Sequence, residues 1–247
     1  MISLKIKDKI SQIYIDYTNN IYQIPKLDDI IELNSNDMLF QFKISDLYRK
    51  KYILYFDSQV EDEIDEFLYQ NLFHEFTHVA DSLNFLDKDI DYFKNVMFIY
   101  SEIHASQIQM DKMLKTQQGN SYKIDKDVTY GGILTLQSFM DQSLDHAIKE
   151  FDTSNGGTHD IRNTYYFIGY LKSLKEHGIS YNYIYNVENQ DLVNAVAMLT
   201  EDILNDKYTY DRLIKIDKYI EAIIKGIIPR STKSNLFSKI TSMFNID

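Results

Sequence analysis

Between Pro25 and Pro229 the chain contains no proline. Proline is the residue a helix interior tolerates least, because it lacks the backbone N–H and its ring collides with the preceding turn. So long a stretch without it, in a chain with only eight glycines, predicts a helix-rich fold. At 247 residues there is enough chain for one large domain with a well-buried core. We read residues 1–228 as that domain, in three parts: an N-terminal helix and small sheet (1–57), two long helices (58–119) and a helical half (120–228). Residues 229–247 form a polar tail.

Apolar residues at Ile6, Ile10, Ile13 and Tyr17 have helical spacing. After Pro25 come three short runs rich in Ile, Phe and Tyr: Ile30 to Leu33, Met38 to Ile44 and Tyr52 to Phe56. These predict the strands of a small sheet. Ser58 and Glu61 form a Ser-x-x-Glu capping box, and acids crowd the turns that follow, so a helix is predicted from there to about Asn84. A second long helix is predicted from Asp87 to Gly119, and others near 131–152, 160–177, 189–205 and 209–226. The fold class is therefore α+β and mostly helical.

The predicted helix over 58–84 carries His74-Glu75-Phe76-Thr77-His78. At 3.6 residues per turn, positions i and i+4 share a face, so both imidazoles can reach one ion. Zinc favours such nitrogen ligands. In a His-Glu-x-x-His segment the glutamate lies beside the metal-bound water and takes its proton, which makes Glu75 the candidate general base. The absence of cysteine excludes disulfides, thiolate metal sites and a cysteine nucleophile, so a bound transition metal must use His, Asp or Glu. One zinc ion per chain is the expected cofactor.

A catalytic zinc needs a third protein ligand. Glu102, 24 residues after His78 on the next predicted helix, is the leading candidate. A turn near Leu86 would fold that helix back antiparallel, and Ala105 and Ser106 are small enough to let it approach the zinc helix closely. Asp81, on the face shared by His74 and His78, is placed either to support a ligand histidine, to cap the helix or to pair with a lysine. His104 lies about 200° round the helix from Glu102, so the two do not share one ion.

The ligand pattern resembles the gluzincins, zinc peptidases with a His-Glu-x-x-His helix and a glutamate on a following helix, over roughly residues 50 to 110. Within that class, His74 to Asp81 looks like the zinc helix of anthrax lethal-factor-type proteases. It is similar too to compact phage and mobile-element metallopeptidases that cleave repressors. The resemblance implies a zincin-like fold with the small N-terminal sheet flanking the zinc helix, Glu75 as base and Glu102 as third ligand. Asp81 and Asn84 stand where metzincins carry glycine and a third histidine, which excludes that class.

Further candidates lie in Gly156-Gly157-Thr158-His159-Asp160-Ile161-Arg162-Asn163-Thr164-Tyr165. Arg162 and Tyr165 resemble the Arg and Tyr pair that follows the ligands in clostridial neurotoxin light chains, which implies a role in stabilising an oxyanion. The alternative places Tyr165 in the core, with His159 or Asp160 as a helix cap. Gly157 to Asp160 also resembles the Gly-Thr-x-Asp of aspzincins, making Asp160 a rival third ligand. Asp141, Asp145 and His146 offer either a second metal site or a solvated face. His177 before Gly178 suits a helix end. The spacing of Leu236, Phe237, Ile240, Met243 and Phe244 makes the tail either a docking segment or a frayed end.

With 26 basic against 37 acidic residues, net −11, the chain has no strong basic stripe, so a nucleic-acid partner is disfavoured and not expected. It has no apolar run of membrane-spanning length, and Met1 to Tyr17 lacks the uncharged core of a signal peptide. The expected compartment is the cytoplasm, with export by a route lacking a classical signal left open. The function these features predict is a zinc metallopeptidase acting on a specific protein or peptide substrate. The alternative is a non-catalytic binding or regulatory protein on the same scaffold, in which the intact Glu75 would have no task.

Overall fold

The structure is a computed structural model, and it describes residues 4–33, 40–46, 50–57, 65–84, 98–117, 129–130, 134–153 and 161–181. These form an α+β arrangement dominated by helices. Helix α1 spans Leu4–Asn20. Its Ile6, Ile10, Ile13 and Tyr17 are all buried, as their spacing predicts, and join one core with the sheet and the next helix, α2 (Asp65–Asn84).

Strands β1 (Asp29–Leu33), β2 (Phe40–Asp46) and β3 (Lys51–Asp57) form a sheet in the order β1-β3-β2. β1 runs parallel to β3, and β2 antiparallel to it. Each expected strand is present, shifted by one or two residues at its ends. Tyr52, Leu54 and Phe56 of β3 alternate into the core against Leu72, Phe76 and Val79 of α2, the period of two that one buried sheet face requires. Tyr17 pins α2 from the other side. Its ring meets Phe73 and Phe76 edge-on, and its hydroxyl donates to Thr77 Oγ1 at 3.0 Å. The middle of α2 is thus held between α1 and the sheet.

Helix α3 (Phe98–Gln117) packs against α2 and against α5 (Arg162–Glu176). The α3–α5 approach is close because Gly169 has no side chain. A Cβ there would stand 2.3 Å from the Ile103 carbonyl oxygen and 2.7 Å from Ser106 Cβ. Ser106, expected to admit the zinc helix, therefore faces α5. α5 closes with Gly178 at φ +69°, a left-handed position natural to glycine, and Gly178 and Ile179 donate back to Lys175 and Leu174.

The helix expected over 131–152 starts later, as α4 (Leu136–Thr153), after the antiparallel pair β4 (Thr129–Tyr130) and β5 (Leu134–Thr135). Gly131 and Gly132, poor helix formers, stand between the two strands in sequence. Thr135 Oγ1 accepts the Ser138 N–H at 3.0 Å, an N-cap that fixes the start. The Ser58–Glu61 box, the turn near Leu86, residues 156–160, the helices expected near 189–205 and 209–226 and the tail lie outside the described residues. Among the described residues no helix is long and apolar enough to cross a membrane.

Candidate metal centre

Helix α2 brings His74 and His78 to its face toward α3, and α3 brings Glu102. One ligand atom from each of His74, His78 and Glu102 can be chosen so that all three lie within 4.8 Å of one another. His74 Nε2 and His78 Nε2 are 3.1 Å apart, and Glu102 Oε2 lies 3.4 and 3.5 Å from them. Glu102 is 5 % exposed and His74 7 %. Glu102 Oε2 is buried with no hydrogen-bond partner among the described residues. A buried carboxylate oxygen facing two imidazole nitrogens is costly unless a proton or a metal cation joins them.

The electrostatics agree. Burial pushes the His78 pKa down, but the carboxylate of Glu102 beside it, with Glu75 and Asp81, raises it to about 9. Burial works against the charged form of Glu102 as well, yet His78 and His74 hold its carboxyl well below the usual range. The pocket favours one positive charge at the meeting point of these groups. Two imidazole nitrogens and a carboxylate oxygen form a donor set that suits zinc with one position open, so the residues fit the ion. Among the described residues this is the one group of three or more ligating side chains. Asp141, weighed for a second metal, instead accepts from Gln137 at 2.8 Å and Tyr181 at 2.5 Å. Asp160 lies outside the described residues.

Glu75 lines a cleft of about 270 Å³ with Phe40, Asn71, His74, Gln109, Tyr166 and Tyr170. Its Oε2 accepts the Phe42 N–H of β2 at 2.9 Å, which ties it to the sheet. Burial raises its pKa above the ordinary value, with the two histidines opposing. Such a shift moves a carboxylate toward the range useful for taking and returning a proton near neutrality.

Behind His78 lies a chain of hydrogen bonds. His78 Nδ1 is 2.6 Å from Ser101 Oγ, Ser101 donates to Asp81 Oδ2 at 2.9 Å, and His104 Nδ1 meets Asp81 Oδ1 at 2.8 Å. Asp81 is therefore linked to His78 through Ser101, a serine that no sequence pattern marks. His104 turns away from the Glu102 cluster, as the helical angle predicts.

Arg162 Nε lies 3.6 Å from Glu102 Oε1, and its guanidinium sits over the Phe98 ring at 5.4 Å. Tyr165 is fully buried, with its ring 6.3 Å from that of Phe98, and the cleft wall is formed by Tyr166 instead. Tyr166 meets His74 edge-on at 5.3 Å. Burial pushes its phenol well above the ordinary pKa, so the hydroxyl keeps its proton. Burial alone would lower the Arg162 pKa, but Tyr166 and Glu102 beside it raise it. Only the helical phase of α5 separates Tyr166 from Tyr165, and a signal for it exists in retrospect: Arg162 and Tyr166 are four apart, on one face.

No family model, curated protein or solved structure matches the chain.

Proposed function

We propose that the chain is a zinc-dependent hydrolase that cleaves a peptide bond. The observation that carries this reading is the convergence of His74 Nε2, His78 Nε2 and the orphaned Glu102 Oε2 from two helices, with Glu75 on the wall of the adjoining cleft. A zinc ion held by His74, His78 and Glu102 would lower the pKa of a bound water from about 15.7 to about 7. Glu75, next to the first histidine and facing the cleft, takes the proton of the attacking water and returns it to the leaving amine. Phe42 holds its carboxylate in place. Tyr166, protonated and against His74, is the donor best placed for the oxyanion, with Arg162 beside it. In this role Tyr166 replaces the expected Tyr165.

What supports a peptide as substrate is β2. It is an edge strand among the described residues, and the Phe42 N–H that reaches Glu75 sets the strand edge along the cleft. An extended chain can lie against such an edge by backbone hydrogen bonds. With 26 basic against 37 acidic residues, the charge balance of the chain does not favour a nucleic acid instead.

The test is metal content by plasma mass spectrometry together with cleavage of a mixed peptide library. The wild type should hold about one zinc per chain and cleave. Glu75→Gln should hold the same zinc and cleave about 10²- to 10⁴-fold more slowly. A Glu75→Gln protein that cleaves at the wild-type rate refutes the base assignment, and a wild type that takes up no zinc refutes the metal reading.

A further inference from the structure

We infer that Ser101 and Asp81 are positioning residues that fix the ring orientation and the proton-bearing nitrogen of His78. The inference rests on the metal reading above and concerns how this chain prepares one of its ligands.

The direction of each hydrogen bond follows from what each group can give. An ionised carboxylate only accepts. Asp81 is fully buried and receives the Ser101 hydroxyl at Oδ2 and the His104 Nδ1–H at Oδ1. Ser101 has a single proton, and Asp81 takes it. Its oxygen can then only accept, and the group 2.6 Å away is His78 Nδ1. His78 must therefore carry a proton on Nδ1. This leaves Nε2 as the ligand atom, facing His74 and Glu102. The serine passes the acceptor character of Asp81 on to a histidine that the carboxylate does not itself touch.

The far end of the chain is held as firmly. With its Nδ1–H committed to Asp81, His104 Nε2 accepts the Tyr22 hydroxyl at 3.1 Å, and the Tyr100 ring stacks on it at 5.3 Å. Both oxygens of Asp81 are thus engaged and its plane is set. The placement on α3 is economical: Ser101 and Glu102 are adjacent, about 100° apart around the helix, so one turn reaches under His78 and into the ligand cluster. Among the described residues His74 has no equivalent. Its Nδ1 is buried with no partner among the described residues, and its ring is placed by packing against Tyr166.

The experiment uses the full chain and measures zinc affinity by competition with a chromogenic chelator. In parallel, proton NMR of the zinc-loaded, ¹⁵N-histidine-labelled protein follows the imidazole N–H signals. Outer partners of metal ligands typically account for 10- to 100-fold in affinity. Ser101→Ala should weaken zinc binding about tenfold and lose the slowly exchanging His78 Nδ1–H signal, while Ser101→Thr keeps both. Ser106→Ala removes a buried hydroxyl, unpartnered among the described residues, from the same helix and should change neither. Asp81→Asn should weaken zinc at least as much as Ser101→Ala. Because Asp81 lies in the core, its thermal unfolding is recorded alongside, and the inference stands or falls with Ser101. It is overturned if Ser101→Ala binds zinc like the wild type with the signal intact, or if Ser106→Ala weakens binding equally. A wild type without zinc overturns the metal reading, and this inference with it.

Discussion

Helix α3 carries two clusters built from the same three residue types. Toward its start, Ser101 and His104 meet Asp81 of α2; toward its end, Asp111 accepts from Ser173 of α5 and pairs with His177 at 3.0 Å. In the second cluster the carboxylate and its two donors satisfy one another, and the result is a clamp between α3 and α5. In the first, the hydrogen bonds end on His78 and leave its other nitrogen facing His74 and the orphaned oxygen of Glu102. Residue types alone do not separate the two places. What separates them is that in the first place three ligating atoms, His74 Nε2, His78 Nε2 and Glu102 Oε2, converge on one point.

The contrast breaks most sharply at Glu102. If the first cluster is a metal site, Glu102→Ala removes one of three protein ligands. Structural zinc sites with four ligands gain roughly 10–16 kcal/mol, so one ligand accounts for on the order of 3 kcal/mol, about a hundredfold in affinity. Chelator competition should show that loss. Equal zinc affinity in Glu102→Ala and wild type would reduce the first cluster to the same kind of clamp as the second.

A smaller effect tests what brings α5, with Arg162 and Tyr166, to the site. Gly169→Ala puts a methyl 2.3 Å from a backbone oxygen that cannot swing aside. Overpacking of this kind costs about 1–3 kcal/mol. Denaturant unfolding should show that loss, and the Arg162 to Glu102 contact should loosen because the two helices are forced apart. An unchanged midpoint would mean that α5 does not approach α3 as closely as described.

These contacts also mark how much can be read from the chain itself. The apolar face of α1, the three strands, the His-Glu-x-x-His helix and Glu102 are legible because each depends on local periodicity or on a fixed spacing between helix positions. The start of α4 is harder to place, because apolar residues from Ile133 onward resemble a helix pattern, while the Thr135 cap fixes the boundary. The choice between Tyr165 and Tyr166 depends on which face α5 turns to α3. Gly169 sets that face through a contact some 65 residues away in sequence, between Gly169 and residues 103 to 107. Ser101 escapes for a related reason. A serine in a helix has no distinguishing pattern, and its role exists only because α2 places Asp81 and His78 on either side of it. The Phe42 N–H that holds Glu75 joins a strand edge to a helix, and no local rule links the two.

The smallest expected effect belongs to the second cluster and completes the comparison. Asp111→Ala leaves the fully buried Ser173 hydroxyl without its Asp111 acceptor and removes one partner of His177. A lost partner for a buried hydroxyl costs about 1–3 kcal/mol. Asp111 and His177 are themselves partly exposed, at 18 and 19 %, so water can replace part of what is lost and about 1 kcal/mol is expected. Thermal unfolding should fall by a few degrees while zinc affinity stays at the wild-type value. The two variants then form a pair: Glu102→Ala acts on zinc, and Asp111→Ala on stability alone. Should Asp111→Ala weaken zinc as well, the two ends of α3 are coupled through the helix. The metal ligands would then depend on the α3–α5 clamp, and not only on the groups that touch them.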